Sequence, residues 1–168
     1  YGISRNYKKN IYCLDYFTRN CISKFISVNW DYKMIINKEQ VSEIISHAKK
    51  KYPKEVCGII AGTFRRRVKK IYKMKNVSDK PEICYFMAPE EQLKVFKEMR
   101  NIKLEMLSIY HSHTCSEAYP SSRDVEMAYY PEADYVIISL QNLNKPEIRA
   151  YKIIDGKIKA EKIREVKK

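Results

Sequence analysis

No stretch of about 18 apolar residues occurs in this chain, so no membrane-spanning helix is expected. Asp15, Arg19 and Lys24 interrupt every apolar stretch near the start, which argues against a secretory leader. No Cys-x-x-Cys pair is present. The five cysteines (Cys13, Cys21, Cys57, Cys84 and Cys115) are an odd number, so neither a disulfide framework nor a structural zinc knuckle is indicated. A reducing, cytoplasmic setting is the simplest expectation. Only 4 Gly and 6 Pro occur in 168 residues, which excludes low-complexity sequence. Two zinc signatures are also missing. There is no His-Glu-x-x-His, against one large class of metalloproteases, and no Pro-Cys-x-x-Cys, against the zinc deaminases.

What is present is ordinary for one folded domain: 45% apolar residues and 14 Tyr. The formal charge of +13 implies attraction to acidic partners and says nothing about fold. The basic residues are dispersed, with no recognition motif carrying interleaved aromatics, so nucleic acid is not the expected partner. Residues 1–33 show no clear period and read as an N-terminal extension, with one weakly alternating stretch at Cys21–Val28 that suits a strand. From Met34 to Lys168 the text is regular and reads as a single α/β domain.

Within that domain, Met34–Ile36 suits a short strand. Lys38–Lys51 suits a helix, with Val41, Ile44, Ile45 and Ala48 on one face. Val56–Ala61 is a buried strand by its unbroken apolar run, and Val68–Asn76 alternates like a half-exposed one. Asn76–Glu82 reads as a loop, Cys84–Met87 as a brief strand, and Pro89 to about Asn101 as a helix with Pro in its first turn. Leu104–Tyr110 and Tyr135–Leu140 are apolar strands, separated by a short helix over Ser122–Tyr129. Glu147–Ile154 and Lys157–Ile163 form a hairpin about Asp155-Gly156.

Two of the three histidines stand as His111-Ser112-His113. In extended backbone, residues i and i+2 face one side, so the two imidazoles can share one metal ion. Catalytic zinc takes a third protein ligand and keeps one position open. Asp124, three residues after Ser121, is a candidate. Ser121-x-x-Asp124 also fits a helix capping box, in which Asp124 reaches back to a backbone N–H. The complete pattern His-x-His, seven residues, Ser, two residues, Asp arises by chance in roughly one of several thousand chains of this length.

These residues resemble the JAMM motif of the MPN (JAB) domain metalloproteases. Tyr52 to Gly62 resembles the glutamate-bearing segment of the same family. The resemblance covers roughly Met34 to the C-terminus. It implies a single MPN domain: a mixed, curved β-sheet flanked by helices, cytidine-deaminase-like in outline. It also implies one Zn²⁺ per chain held by His111, His113 and Asp124, with water completing the site. Glu55 would be the general base and Ser121 the donor to the oxyanion. Thr114 departs from the proline that many members carry after the second histidine. The implied activity is hydrolysis of peptide or isopeptide bonds at the C-terminal tail of a ubiquitin-like modifier or a sulfur-carrier protein. The family also contains non-catalytic scaffolds, which typically lose their ligands. On the residues alone, Glu55 reads as a surface charge, Cys57 as core, His47 as a surface residue and Arg65-Arg66-Arg67 as a solvated turn. Ser112 is expected to face away from the metal. Cys115, as a fourth ligand, would close the site.

Overall fold

The computed structural model describes residues 33–167. The expectations for residues 1–32, including the strand at Cys21–Val28, lie outside the described residues. Strand β1 (Met34–Asn37) leads directly into helix α1 (Lys38–Lys51). The Asn37 side chain accepts from Gln40 N at 2.8 Å and the Gln40 side chain accepts from Asn37 N at 3.0 Å, a reciprocal cap that fixes the start of α1. Ile44 and Ala48 are buried from this helix, with Val41 and Ile45 partly so.

Six strands form the main sheet: β2 (Cys57–Gly62), β3 (Val68–Met74), β4 (Glu105–His113), β5 (Asp134–Ser139), β6 (Glu147–Ile154) and β7 (Lys157–Glu161). Their spatial order is β3-β2-β4-β5-β6-β7. Only β4 and β5 run parallel; the other pairs are antiparallel. Every residue of β2 and of β5 is buried, as their apolar runs require. Alternate side chains of the sheet feed two cores. Ile60, Tyr110, Val136 and Ile138 pack with Ile44 and Ala48 of α1. Ile59, Ile109, Tyr135 and Ile137 pack with Met99 of helix α2 (Pro89–Asn101). The sheet is therefore mixed and covered by helices, as expected for the fold class.

Several boundaries differ from the expectations. Strand β4 continues through His113, so the histidines lie inside a strand and not after it. Helix α3 (Ser122–Glu126) stops short of Tyr129, after five residues. Cys84–Met87 is not a strand: Met87 makes one isolated bridge, to Asn76. Here the Asn76 side chain replaces a partner strand, donating to Cys84 O at 3.1 Å and accepting from Phe86 N at 3.1 Å. The last expected strand breaks at Lys162. Ile163 instead opens a further strand, β8 (Ile163–Val166), whose later residues carried no expectation and which pairs parallel with β1. The β6–β7 hairpin holds, with positive φ at Asp155 (49°) and Gly156 (75°), the two-residue turn that matches strand twist. Arg66 is not solvated: its guanidinium pairs with buried Asp134, which Lys152 also approaches at 2.9 Å.

His47 is half-buried rather than a surface residue, with Nδ1 2.9 Å from the Tyr110 hydroxyl. Burial, with Lys73 and Lys51 adding, lowers its pKa from 6.5 to about 4. The neutral ring and the phenol share this hydrogen bond. A depressed folded pKa stabilises the fold above the unfolded value, and that contribution drains as pH falls from 6.5 toward about 4. Urea midpoints measured across this window are expected to fall less steeply for His47→Gln than for wild type. Parallel curves would sink the assignment.

Candidate metal centre

The alternation of β4 turns His111 and His113 to the face shared with Ile109 and turns Ser112 to the other. Ser112 faces away as expected: its Oγ accepts from Val56 N at 2.9 Å, and its own N–H donates to Val56 O at 3.0 Å. Cys57 of β2 pairs with His111 across the ladder and is fully buried, a core residue as expected. The histidines therefore sit on central strands whose positions are set by packing.

Three ligand atoms converge. His111 Nε2 lies 3.1 Å from His113 Nε2 and 3.2 Å from Asp124 Oδ1, and His113 Nε2 lies 3.3 Å from Asp124 Oδ2. Zinc bonds of about 2.0–2.1 Å in a tetrahedron place ligands roughly 3.3–3.4 Å apart. The spacing thus fits one small divalent ion, and two imidazole nitrogens with a carboxylate suit zinc chemically. No fourth protein ligand joins these three among the described residues. Cys115 is exposed and lies outside the group.

The capping box and the ligand cluster are one structure. Ser121 Oγ accepts from Asp124 N at 3.2 Å, and Ser121 N donates to Asp124 Oδ2 at 2.8 Å. The Ser121 hydroxyl also donates to Asp124 Oδ2, at 2.6 Å. The five-residue helix thus aims the carboxylate at the histidines. Burial works against ionising Asp124, but hydrogen bonds from His111, His113 and Ser121 outweigh it and hold its pKa below the ordinary range. His113 Nδ1 donates to Glu117 O at 2.9 Å, which leaves Nε2 free to ligate. His111 is fully buried, and burial lowers its pKa.

Glu55 is 6% exposed, not the surface charge its sequence surroundings indicate. Its N–H donates to Pro81 O at 2.6 Å, and its carbonyl accepts from Asn76 Nδ2 at 2.9 Å. Burial raises its carboxyl to about 7, with His113 opposing and the Asp124 charge adding. Glu55, His113, Ser121 and Asp124 line one open cleft of about 280 Å³, with Tyr85 and Arg123 also in its wall. Thr114, where the resemblance leads one to expect a proline, is buried and donates its hydroxyl to Glu82 O at 3.0 Å, tying the end of β4 to the loop that lines the cleft. Asn76 and Tyr85 carry no motif, and no sequence pattern marks them. Their significance lies in contacts that only the fold creates.

A mixed sheet with a two-histidine, one-aspartate cluster and a buried glutamate in the same cleft defines the class. The sequence profile described as prokaryotic homologs of the JAB domain matches residues 37–154, and the chain belongs to that family. It is 36% identical over 133 residues to the CysO-cysteine peptidase of Mycobacterium tuberculosis, covering 79% of this chain and 90% of the relative. It is 33% identical over 116 residues to a probable TtuB-protein conjugate cleaving protease of Thermus thermophilus, covering 69% and 73%. The solution structure of a Desulfitobacterium hafniense protein, 32% identical, superposes with a TM-score of 0.72 over 80% of this chain and 93% of that one. No helix among the described residues is long and apolar enough to cross a membrane.

Proposed function

We propose that this chain is a zinc-dependent peptidase. It cleaves the peptide or isopeptide bond that follows the C-terminal tail of a ubiquitin-like modifier or a sulfur-carrier protein. The observation that carries this reading is the convergence of His111, His113 and Asp124 at 3.1–3.3 Å in a cleft shared with buried Glu55. The names of the mycobacterial and Thermus relatives support the substrate class: one is a CysO-cysteine peptidase, the other a probable TtuB-protein conjugate cleaving protease.

His111, His113 and Asp124 hold the ion, and His113 is oriented by the Glu117 carbonyl. A zinc ion bound there supplies Lewis acidity and makes water a competent nucleophile near neutral pH. Glu55 accepts the proton that water loses as the new C–O bond forms. It returns that proton to the departing nitrogen as the C–N bond breaks. The Glu55 carboxylate lines the same cleft as the three ligand residues, within the site where both transfers take place. Ser121 has one hydroxyl proton, spent on Asp124 Oδ2 here. With substrate in place, that proton turns to the carbonyl oxygen, and the Ser121 N–H keeps hold of the aspartate.

The test is metal content after zinc loading and gel filtration, with cleavage of a ubiquitin-like carrier extended by a peptide or isopeptide bond. Wild type is expected to retain about one zinc per chain and to cleave. Asp124→Ala is expected to lose both properties. A wild-type protein that retains no zinc under any loading condition would overturn the proposal and leave a scaffold.

A further inference from the structure

The two histidines are oriented in different ways. His113 has the usual support, an Nδ1–H to a backbone carbonyl at 2.9 Å. His111 has none: among the described residues its Nδ1 is buried without a hydrogen-bond partner. An imidazole without that bond can rotate about its Cβ–Cγ axis, and rotation swings Nε2 away from the point where the three ligand atoms meet. Something else must fix its plane. The Tyr85 ring lies on it, with centroids 4.6 Å apart and planes inclined by 24°, a stacked arrangement.

Tyr85 is itself held firmly. The Asn76 carboxamide donates to Cys84 O at 3.1 Å and accepts from Phe86 N at 3.1 Å, pinning the backbone on both sides of Tyr85. The same Nδ2 donates to Glu55 O at 2.9 Å. Ser78 Oγ, 2.8 Å from Cys84 Sγ, adds a further tie. A loop that belongs to no strand is thus tied down at the residue whose ring stacks on His111.

We propose that Tyr85 is a positioning residue for His111, its ring serving as the plate that sets the imidazole plane in place of a hydrogen bond at Nδ1. The inference rests on reading His111 as a metal ligand. It assigns the work to the face of the ring and none to the hydroxyl. Tyr85→Phe should therefore bind metal as wild type does. Tyr85→Leu and the bulk-retaining Tyr85→Met, which both lack the ring, should bind about 10–100-fold more weakly, the usual loss when a ligand's outer support is removed.

Zinc affinity is measured by competition with a chromophoric chelator, and the visible spectrum of the cobalt-loaded protein reports ligand geometry. Melting of the metal-free variants separates weak binding from a failure to fold. Expected are cooperative melting in all variants, an altered cobalt spectrum with weakened zinc in the Leu and Met variants, and neither change in Phe. Leu or Met variants that fold and bind like wild type would overturn the inference, as would a Phe variant as weak as they are. If wild type itself holds no metal, it is the reading of the centre that fails, and the two failures are told apart in one experiment.

Discussion

Glu55→Gln is expected to retain its metal and to cleave about 10²–10⁴-fold more slowly than wild type, the range that a positioned acid–base group contributes. The substitution keeps the size of the side chain and the backbone bonds to Pro81 and Asn76. It removes only the ability to take up and return a proton. Because Glu55 is not among the three converging ligands, the ion should stay. Metal content and single-turnover cleavage, measured on the same preparation, check both halves. A Glu55→Gln enzyme that cleaves at wild-type rate would remove Glu55 from the chemistry. Loss of metal together with activity would instead make it a ligand.

Gly58→Ala should be among the most destabilising single-methyl additions available in this fold. A Cβ at Gly58 would lie 2.3 Å from the Tyr72 carbonyl oxygen and 2.3 Å from Tyr110 Cε1. The Tyr110 ring has some freedom to move, but the Tyr72 carbonyl belongs to the β2–β3 ladder. Overpacking of a buried site costs about 1–3 kcal/mol and at times more, and a clash with backbone belongs at the upper end. Gly156→Ala is the contrast. Nothing lies within 4 Å of its added carbon, but φ is 75°. Its cost is the roughly 1–2 kcal/mol of a left-handed conformation alone. Urea unfolding of both variants checks the order. A Gly58→Ala protein as stable as Gly156→Ala would mean that the two strands separate more easily than their packing indicates.

The elements most legible in the sequence are those whose local pattern and final burial coincide. The face of Val41, Ile44, Ile45 and Ala48 announces α1, and the apolar runs of β2 and β5 announce strands covered on both sides. The ligand spacing is equally open to reading, because the period of a strand relates His111 to His113 and one turn of helix relates Ser121 to Asp124. Glu55 is the opposite case. It stands between exposed Lys54 and the apolar run that begins at Val56, where a charge reads as a strand entrance, so only the resemblance draws attention to it. Its burial comes from Pro81, Asn76 and the cleft, all distant in sequence. In the sequence the expected strand stops at Ile163 and the rest of β8 is missed, because its partner, β1, lies at the opposite end of the domain. Cys84–Met87 has the composition of a strand without being one, because a single carboxamide does the work of a neighbouring strand, and no propensity scale records such a substitution. The burial of His47 is hidden for a similar reason, since Tyr110 is brought to it by the sheet.

The paired hydrogen bonds between Ser112 and Val56 set the manufacturing tolerance of the candidate site. Ser112 sits between the two histidines, and Val56 is the residue after the glutamate. Whatever shear or breathing the sheet undergoes, these two places are indexed to one shared datum and travel together. The spacing between Glu55 and the two histidines is then a local dimension, insulated from errors that accumulate across the rest of the molecule. The outer strands of such a chain can drift in sequence and in angle while the working distance stays in gauge.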